Sequence, residues 1–275
     1  MGSNKLTIGA TRVMHITSFM GLVVLAGCIS RTADEYCQSA WVHLQEGNFD
    51  DAASDARRAI RQDPKYAGAY LLLCSALESG PTRDPDGAIA ACQQALRLAP
   101  NTHRAHQGIA KAFEDKKDWR SAITEYRLEI SSQEKGTTDG KVDMGQIAYL
   151  HYTIGSDLMK LGDTAGAIAE SVAEARANEQ DPRERAARAG GPTHNHMQRD
   201  LKKRGLLTTA IANDEDLVRS KPADAEAHYQ LGIALEADEQ FEPAAKEYTQ
   251  ACKLGPADSK YCADARWLSE KLHSS

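Results

Sequence analysis

Cysteine and histidine are the residues of this chain whose side chains could act as nucleophiles, metal ligands or disulfide partners. The chain holds 6 cysteines and 9 histidines. A nucleophilic cysteine needs a matched base and an oxyanion site, and a zinc site needs about four ligands. Only His194 and His196 lie close together, beside Gly190-Gly191-Pro192. The spacing indicates the polar start of a helix for this pair, with a metal site as the alternative, and it predicts no metal centre elsewhere.

Other patterns that mark enzymes or nucleic-acid binders are missing from the sequence. It has no phosphate-binding loop, no metalloprotease pair of histidines and no nucleophile elbow. A formal net charge of -6 offers no basic footprint for phosphates, which argues against nucleic acid as a partner. The sequence therefore predicts a protein that is not an enzyme, with no cofactor and no small-molecule substrate.

The first 28 residues have the composition of an export signal. Lys5 and Arg12 precede an apolar run from Ile16 to Leu25, and no acidic residue interrupts it. The run is shorter than the roughly 20 apolar residues that a membrane-spanning helix needs. It ends in Leu25-Ala26-Gly27-Cys28, which resembles the lipobox at which the signals of bacterial lipoproteins are cleaved.

This resemblance implies a signal peptide over 1–27 and a lipidated linker over 28–32, with acyl chains on Cys28 as the membrane anchor. In such lipoproteins an aspartate after the cysteine marks retention in the inner membrane, and here the next residue is Ile29. The expected location is therefore the bacterial cell envelope, at the outer membrane and facing the periplasm. A simple cleaved signal and a buried hairpin helix remain the alternatives.

The remainder of the chain repeats with a period near 34 residues. In the clearest copy, 225–258, Leu231-Gly232 is followed by Gln240-Phe241, and then by Ala244, Tyr248, Ala251 and Pro256. These residues resemble the consensus of the tetratricopeptide repeat (TPR), a helix–turn–helix unit of 34 residues. Further copies begin near residues 33, 67, 103, 148 and 191. The resemblance implies an all-α fold, a right-handed α-solenoid of about six TPR helix pairs with a C-terminal capping helix.

Composition agrees with helices, since alanine is frequent and aromatic residues make up only 6% of the chain. The predicted organisation is units 1–3 over 33–136, units 4–6 over 137–258 and the capping helix over 259–275. Stretches rich in glycine, proline and polar residues predict insertions near 131–147 and 176–196, as loops or as hinges.

The TPR resemblance also implies which cysteines face each other. In an antiparallel helix pair of this family Cys74 lies opposite Cys92, and Cys252 lies opposite Cys262 across the next turn. An exported protein favours disulfides at such contacts, and pairs of buried free thiols are the alternative. Cys37 has no partner in this scheme, and an inert thiol is expected there.

TPR proteins commonly bind their partners in a concave groove lined by the first helix of each unit. The corresponding positions here form a stripe rich in basic residues and tyrosines, and the predicted groove residues are Arg104, Lys111, Tyr149, Tyr152, Lys160, Arg199, Lys202, Lys203 and Tyr229. Such a stripe would suit an acidic peptide, because lysine and arginine steer it and tyrosine supplies rigid contact area. A merely solvated helix face is the alternative.

The function that the sequence predicts is a lipid-anchored scaffold or adaptor that binds an envelope protein or peptide in the TPR groove. Fold analogy supports an alternative, a structural subunit of an outer-membrane complex of the kind that assembles pilus secretins. An enzyme with its site in one of the two insertions is the third possibility, and neither insertion contains a set of acid–base or metal-binding residues.

Overall fold

The computed structural model describes residues 32–80, 83–135, 142–180 and 196–274, and within these ranges it contains thirteen α-helices and no strand. The chain divides into two units, 1–31 and 32–275, and all of the helices belong to the second. The predicted signal peptide, Cys28 and His194 lie outside the described residues. Within the described ranges no helix combines the length and apolar character needed to cross a membrane.

The first twelve helices form six antiparallel pairs, and one further helix follows them. This arrangement confirms the predicted all-α repeat architecture. Their bounds are α1 Ala33–Glu46, α2 Phe49–Gln62, α3 Ala67–Ser79, α4 Pro85–Leu98, α5 Ala105–Asp115, α6 Trp119–Glu134, α7 Met144–Lys160, α8 Thr164–Gln180, α9 His196–Lys203, α10 Leu206–Ser220, α11 Ala225–Ala237, α12 Phe241–Leu254 and α13 Lys260–Ser274. Each helix packs on the next one, and first helices also contact each other in α1–α3 and α3–α5. A solenoid of stacked helix pairs accounts for these contacts.

Local sequence explains how the first helix pair forms. Thr32 and Glu35 build a reciprocal capping box that satisfies backbone N–H groups at the start of α1. Gly47 ends the helix in the left-handed conformation with φ 77°, where glycine carries no steric penalty. Ala40 and Ala52 are completely buried between α1 and α2, so the two backbones can approach closely.

Two glycines mark the closest contacts between helices. A Cβ atom on Gly232 in α11 would lie 2.6 Å from the ring of the buried Tyr248 in α12. A Cβ atom on Gly108 in α5 would lie within 3 Å of the sulfur atoms of Cys74 and Cys92 in the preceding unit. Glycine is therefore required at both positions by the packing of a bulky neighbour.

The fifth helix pair departs from the regular pattern. Its first helix, α9, has only 8 residues, and Leu207 is the only buried residue of its second helix, α10. In this region α11 also packs directly on α8, the second helix of the fourth pair. Helices also extend into the predicted insertions, since α6 continues to Glu134, α7 begins at Met144 and α8 continues to Gln180. These ends are helical because their side chains, such as the buried Ala177, pack against neighbouring helices.

Candidate functional site

The predicted groove residues all stand on first helices or at their starts. Arg104 precedes α5 and Lys111 lies within it, Tyr149, Tyr152 and Lys160 belong to α7, Arg199, Lys202 and Lys203 belong to α9, and Tyr229 belongs to α11. These helices lie side by side in the array. α7 contacts α9, and Gln146 of α7 donates a hydrogen bond to Gln107 of α5 at 3.3 Å. We call this surface, built by α1, α3, α5, α7 and α9, the first-helix surface.

Acidic neighbours neutralise much of the predicted basic stripe. The ammonium group of Lys111 lies 3.4 Å from Glu78 of α3, and that of Lys160 donates to Asp157 at 2.8 Å. Lys202 pairs with Asp238. Acids on the same or neighbouring helices therefore compensate the charges of these three residues locally.

Arg104 and Lys203 keep their charges available, since both are exposed and neither forms an ion pair with a described residue. Arg199 is exposed as well, and its guanidinium group bonds to the ring of His196 at 3.1 Å. These three exposed cations of the predicted groove form no ion pair with a described residue.

Tyr149 and Tyr152 line a cavity of this surface. The cavity has a volume of about 340 Å³ and also contacts Glu174, Asn178 and His196. Tyr149 is 47% exposed, whereas Tyr152 is half-buried and meets the His196 ring edge-on, with centroids 5.7 Å apart. Aromatic walls with one exposed face are typical of positions where a partner side chain is bound.

Tyr229 is not part of an exposed surface, so its prediction as a groove residue is wrong. The side chain is 9% exposed and its hydroxyl group donates to Asp264 of α13 at 2.7 Å. The ring also packs against Tyr261, with centroids 5.0 Å apart, and Lys260 lies over it. The capping helix therefore covers the position that would face a partner in an internal repeat.

Two buried glutamates cap the starts of first helices. Glu174 of α8 is 2% exposed and accepts hydrogen bonds from the backbone N–H groups of His196 at 2.9 Å and Met197 at 3.1 Å. Burial raises the pKa of Glu174 to about 7, and the two N–H donors oppose this rise. Glu129 of α6 caps α5 in the same way, through the N–H of Arg104 at 3.0 Å. Both stand where the TPR consensus has a small residue, and that departure was the signal available in the sequence.

A histidine–glutamate pair recurs at the same register in three units, and sequence reasoning missed it. The ring Nδ1 atoms lie 2.6 to 2.8 Å from the carboxylates in the pairs His106–Glu125, His151–Glu170 and His228–Glu247. Every pair joins a first helix to the second helix of the same unit and spans 19 residues of sequence. The repeated spacing was visible in the sequence, where the histidines were treated as scattered. Within the described residues no cluster of three or more potential ligands could hold a metal ion.

Glu114 of α5 and Asp157 of α7 bring two carboxyl groups together beneath the first-helix surface. Asp157 is completely buried, and Glu114 also hydrogen-bonds to Tyr126. Burial, and then the charge of Asp157, raises the pKa of Glu114 to about 7. Glu114 therefore keeps its proton to a higher pH than an exposed glutamate does.

This pair predicts a pH-dependent stability. The folded state holds the Glu114 proton more tightly than the unfolded state. The contribution of this proton to stability is therefore complete below about pH 4.5 and is lost as the pH rises through about 7. We expect Glu114→Gln to be more stable than the parent at pH 8 by about 1 kcal/mol, a value reduced for solvent screening of a half-buried group. At pH 4.5 the two proteins should be equally stable.

Urea unfolding of both proteins at the two pH values measures this difference. Glu134→Gln is the matched control, because Glu134 is exposed at the end of α6. An equal effect of Glu114→Gln at pH 8 and pH 4.5 would contradict the raised pKa of Glu114.

Both cysteine pairs predicted from the repeat are joined in the structure. The disulfide Cys74–Cys92 links α3 to α4 with 5.4 Å between Cα atoms, and Cys252–Cys262 links α12 to α13 with 4.6 Å. Cys37 is a buried free thiol whose pKa is raised to about 11 by burial and by Asp34, so it stays protonated near neutral pH. A thiol in this state is a poor nucleophile.

The two disulfides differ in their access to solvent. Cys74 and Cys92 are completely buried beneath Gly108, whereas Cys252 and Cys262 line an open cavity of about 820 Å³. Under native conditions we expect a phosphine reductant to reduce Cys252–Cys262 at least about tenfold faster than Cys74–Cys92. The buried disulfide can react only after local unfolding exposes it. Thiol alkylation followed by peptide mass spectrometry measures both rates, and guanidinium should abolish the difference. Equal native rates would contradict the prediction.

The comparisons with known proteins agree with this architecture. The sequence matches the family model of the tetratricopeptide repeat over residues 37–101, 82–135 and 199–259, which is more than half of the chain. The chain belongs to the TPR family. No curated protein matches it in sequence.

Several solved structures are similar to this chain. The protein MamA is 16% identical, with 81% of this chain and 91% of MamA covered and a TM-score of 0.41. YrrB, described as a TPR protein with an unusual peptide-binding site, is 20% identical, with 78% and 98% covered and a TM-score of 0.40. The APC/C hetero-tetramer Cut9-Hcn1 is 13% identical, with 89% of this chain and 44% of that chain covered and a TM-score of 0.48.

TPR arrays bind peptides or proteins, and this class of function follows from membership of the family. The chain is therefore a protein-interaction scaffold in the general sense.

Proposed function

We propose that this chain is a lipid-anchored scaffold of the bacterial cell envelope that binds an extended protein segment along the first-helix surface. The observation that carries the proposal is the position of its exposed aromatic residues. Trp41 and Tyr149, at 56% and 47%, are the most exposed large hydrophobic side chains among the described residues. Trp41 stands on α1 and Tyr149 on α7, and both helices are first helices of their units. Exposed aromatic residues of this kind are typical anchors of protein interfaces.

The chemistry of the partner follows from the cavity beside Tyr149. Its volume of about 340 Å³ suits a single large side chain rather than a folded element. Arg199 borders the cavity through His196, and Arg104 and Lys203 add positive charge along the same surface. The favoured partner is a segment with one apolar or aromatic anchor residue flanked by acidic residues, since opposite charges speed and orient association.

The envelope part of the proposal rests on Leu25-Ala26-Gly27-Cys28, which resembles a lipobox. The disulfides Cys74–Cys92 and Cys252–Cys262 support it, because such bonds persist in oxidising compartments such as the periplasm. Acylation of Cys28 would tether the array to the outer membrane and leave the repeats free to face the periplasm. Stable anchoring needs two or more acyl chains, as lipoproteins of this type carry.

Labelling growing cells with radioactive palmitate tests the anchor. The parent protein should take up the label and sediment with the outer membrane, whereas Cys28→Ala should lose both properties. Cys37→Ala is the matched control and should keep both, because Cys37 is a buried thiol of α1. Label retained by Cys28→Ala would overturn this part of the proposal.

Crosslinking in the native cells tests the binding surface. We expect the triple variant Tyr149→Ala, Arg199→Ala, Lys203→Ala to give at least about tenfold less of a specifically crosslinked protein than the parent. This is the size of effect expected when a hot-spot residue of an interface is removed. A matched variant carries alanine at exposed positions of second helices, namely Arg57, Leu128 and Lys246. Equal losses from the two variants would contradict binding on the first-helix surface.

A further inference from the structure

A second cavity lies where the irregular fifth unit leaves a gap between α8, α10 and α11. It has a volume of about 270 Å³ and is separate from the one beside Tyr149. Its walls are largely apolar and include Ile168 of α8, Leu206 of α10 and Ile233 of α11. α11 packs on α8, and Leu207 is the only buried residue of α10, so the cavity lies between these three helices.

One charged side chain lines this cavity, that of Asp214 on α10. Asp214 is half-buried, and within the described residues it forms no hydrogen bond or ion pair. Burial raises the pKa of its carboxyl group above the ordinary value, and no basic residue lines the cavity to oppose this rise. A partly desolvated carboxylate without a partner costs free energy, and a bound cation would recover it.

The size of the cavity restricts what can bind. Pockets for drug-sized ligands begin at about 300 Å³, so this one accommodates a small ligand or a single side chain. Its apolar walls favour an aliphatic chain, and Asp214 favours a positively charged end group. Thr209 and Asn213 lie on the same helix face and could accept further N–H donors of an ammonium group.

We propose that this cavity is a binding site for an alkylammonium group, an aliphatic chain of about four to six carbons that ends in a primary amine. Asp214 forms the ion pair with the amine, and Ile168 and Ile233 pack against the chain. This chemistry is present both in free aliphatic diamines and in the lysine side chain of a partner protein. The site does not depend on the first-helix surface or on acylation of Cys28.

Methyl-resolved NMR titration of the full chain in mild detergent tests the site, with isoleucine methyl groups labelled with ¹³C. We expect n-pentylamine to shift the signals of Ile168 and Ile233 saturably, while n-pentanol binds at least about fivefold more weakly and pentanoate does not bind. These differences reflect one charge-assisted hydrogen bond to a carboxylate. Shifts that do not saturate, or equal affinities for the amine and the alcohol, would overturn the proposal.

Substitution of the carboxylate provides the decisive comparison. Asp214→Asn should weaken n-pentylamine binding about tenfold and leave n-pentanol unchanged, because the amide keeps the shape and removes the charge. Asp216→Asn is the matched control on the same helix, since Asp216 is exposed and pairs with Arg219. Unchanged amine affinity in Asp214→Asn, or an equal loss in the control, would show that Asp214 is not the recognition group.

Two further probes distinguish the natural sources of the amine, and either result supports the site. Tighter binding of pentane-1,5-diamine than of Nα-acetyl-lysine methylamide indicates a free diamine. The opposite order indicates a lysine side chain of a partner protein. Failure of both probes to reach Ile168 and Ile233 would contradict the proposal, and it would leave the function of the first-helix surface untouched.

Discussion

Replacing Arg176 with methionine should lower the free energy of unfolding by about 3 kcal/mol, the largest loss that we expect from a single charged residue. Arg176 of α8 donates two hydrogen bonds to Glu236 of α11, at 3.0 and 2.6 Å, and a third to Asp264 of α13 at 2.7 Å. Its guanidinium group also stacks on Trp267, with 4.4 Å between the guanidinium carbon and the ring centroid. Methionine preserves the packing of the side-chain stem but leaves the buried carboxylate of Glu236 without its cation.

Guanidinium unfolding followed by circular dichroism measures this loss. Arg127→Met is the matched control, because Arg127 forms one ion pair with Glu170 and its side chain is 58% exposed, against 21% for Arg176. The control should lose at most about 1 kcal/mol. The double variant Arg176→Met, Glu236→Met should recover part of the stability, since it removes the stranded charge. Equal losses for Arg176→Met and the control would contradict this role of Arg176.

The second large effect is expected from one methyl group. Gly232→Ala should destabilise the chain by about 2 kcal/mol, although alanine is the better helix former by about 1 kcal/mol. The new Cβ atom would lie 2.6 Å from the ring of Tyr248, which is completely buried. The ring cannot move away freely, because its hydroxyl group donates to Glu236 at 2.7 Å. α11 and α12 must therefore separate, which weakens the contact within the sixth unit.

Gly68→Ala is the control for backbone propensity. Gly68 lies in the first turn of α3, and a Cβ atom there would make an ordinary 3.4 Å contact with Tyr66. Thermal unfolding of both variants separates packing from propensity, since only Gly232→Ala should lower the melting temperature. A melting temperature of Gly232→Ala at or above that of the parent would contradict the close contact.

The regular part of the fold was predictable because its determinants are local and repeated. Small residues such as Ala40 and Ala52, and glycine at the turn after α1, recur with the period of the helix pair. The same period placed Cys74 opposite Cys92, since an antiparallel pair fixes which residues meet. Periodicity therefore predicted the helices and the pairing, which depend on neighbours in sequence.

One set of contacts that sequence reasoning missed joins units that are not consecutive. Arg176 was assigned to an insertion, yet it lies in α8 and bonds to residues 60 and 88 positions away. No repeat period relates these partners, because the contact between α8 and α11 joins units that are not consecutive. The burial of Tyr229 has a similar cause, since it depends on where the capping helix α13 packs on α11.

The sequence predicted a groove on the first helices that includes Tyr149, and binding there stays a prediction. In the structure Tyr149 lies on α7 and is exposed. The net charge of the surface was not predictable from the groove positions alone. Lys111 of α5, for example, forms an ion pair with Glu78 of α3 in the preceding unit. The repeat register places a residue on the first-helix surface. The net charge of that surface also depends on which side chains lie next to the residue in the folded chain.

Site-specific photocrosslinking in the native cells tests the central claim, that the first-helix surface binds the partner. A photoreactive phenylalanine derivative replaces Tyr149 on α7 in one strain and Leu128 on α6 in another, two positions that are 47% and 45% exposed. We expect a discrete crosslinked protein from position 149 and none from position 128. A product from position 128 alone, or the same products from both, would contradict the claim.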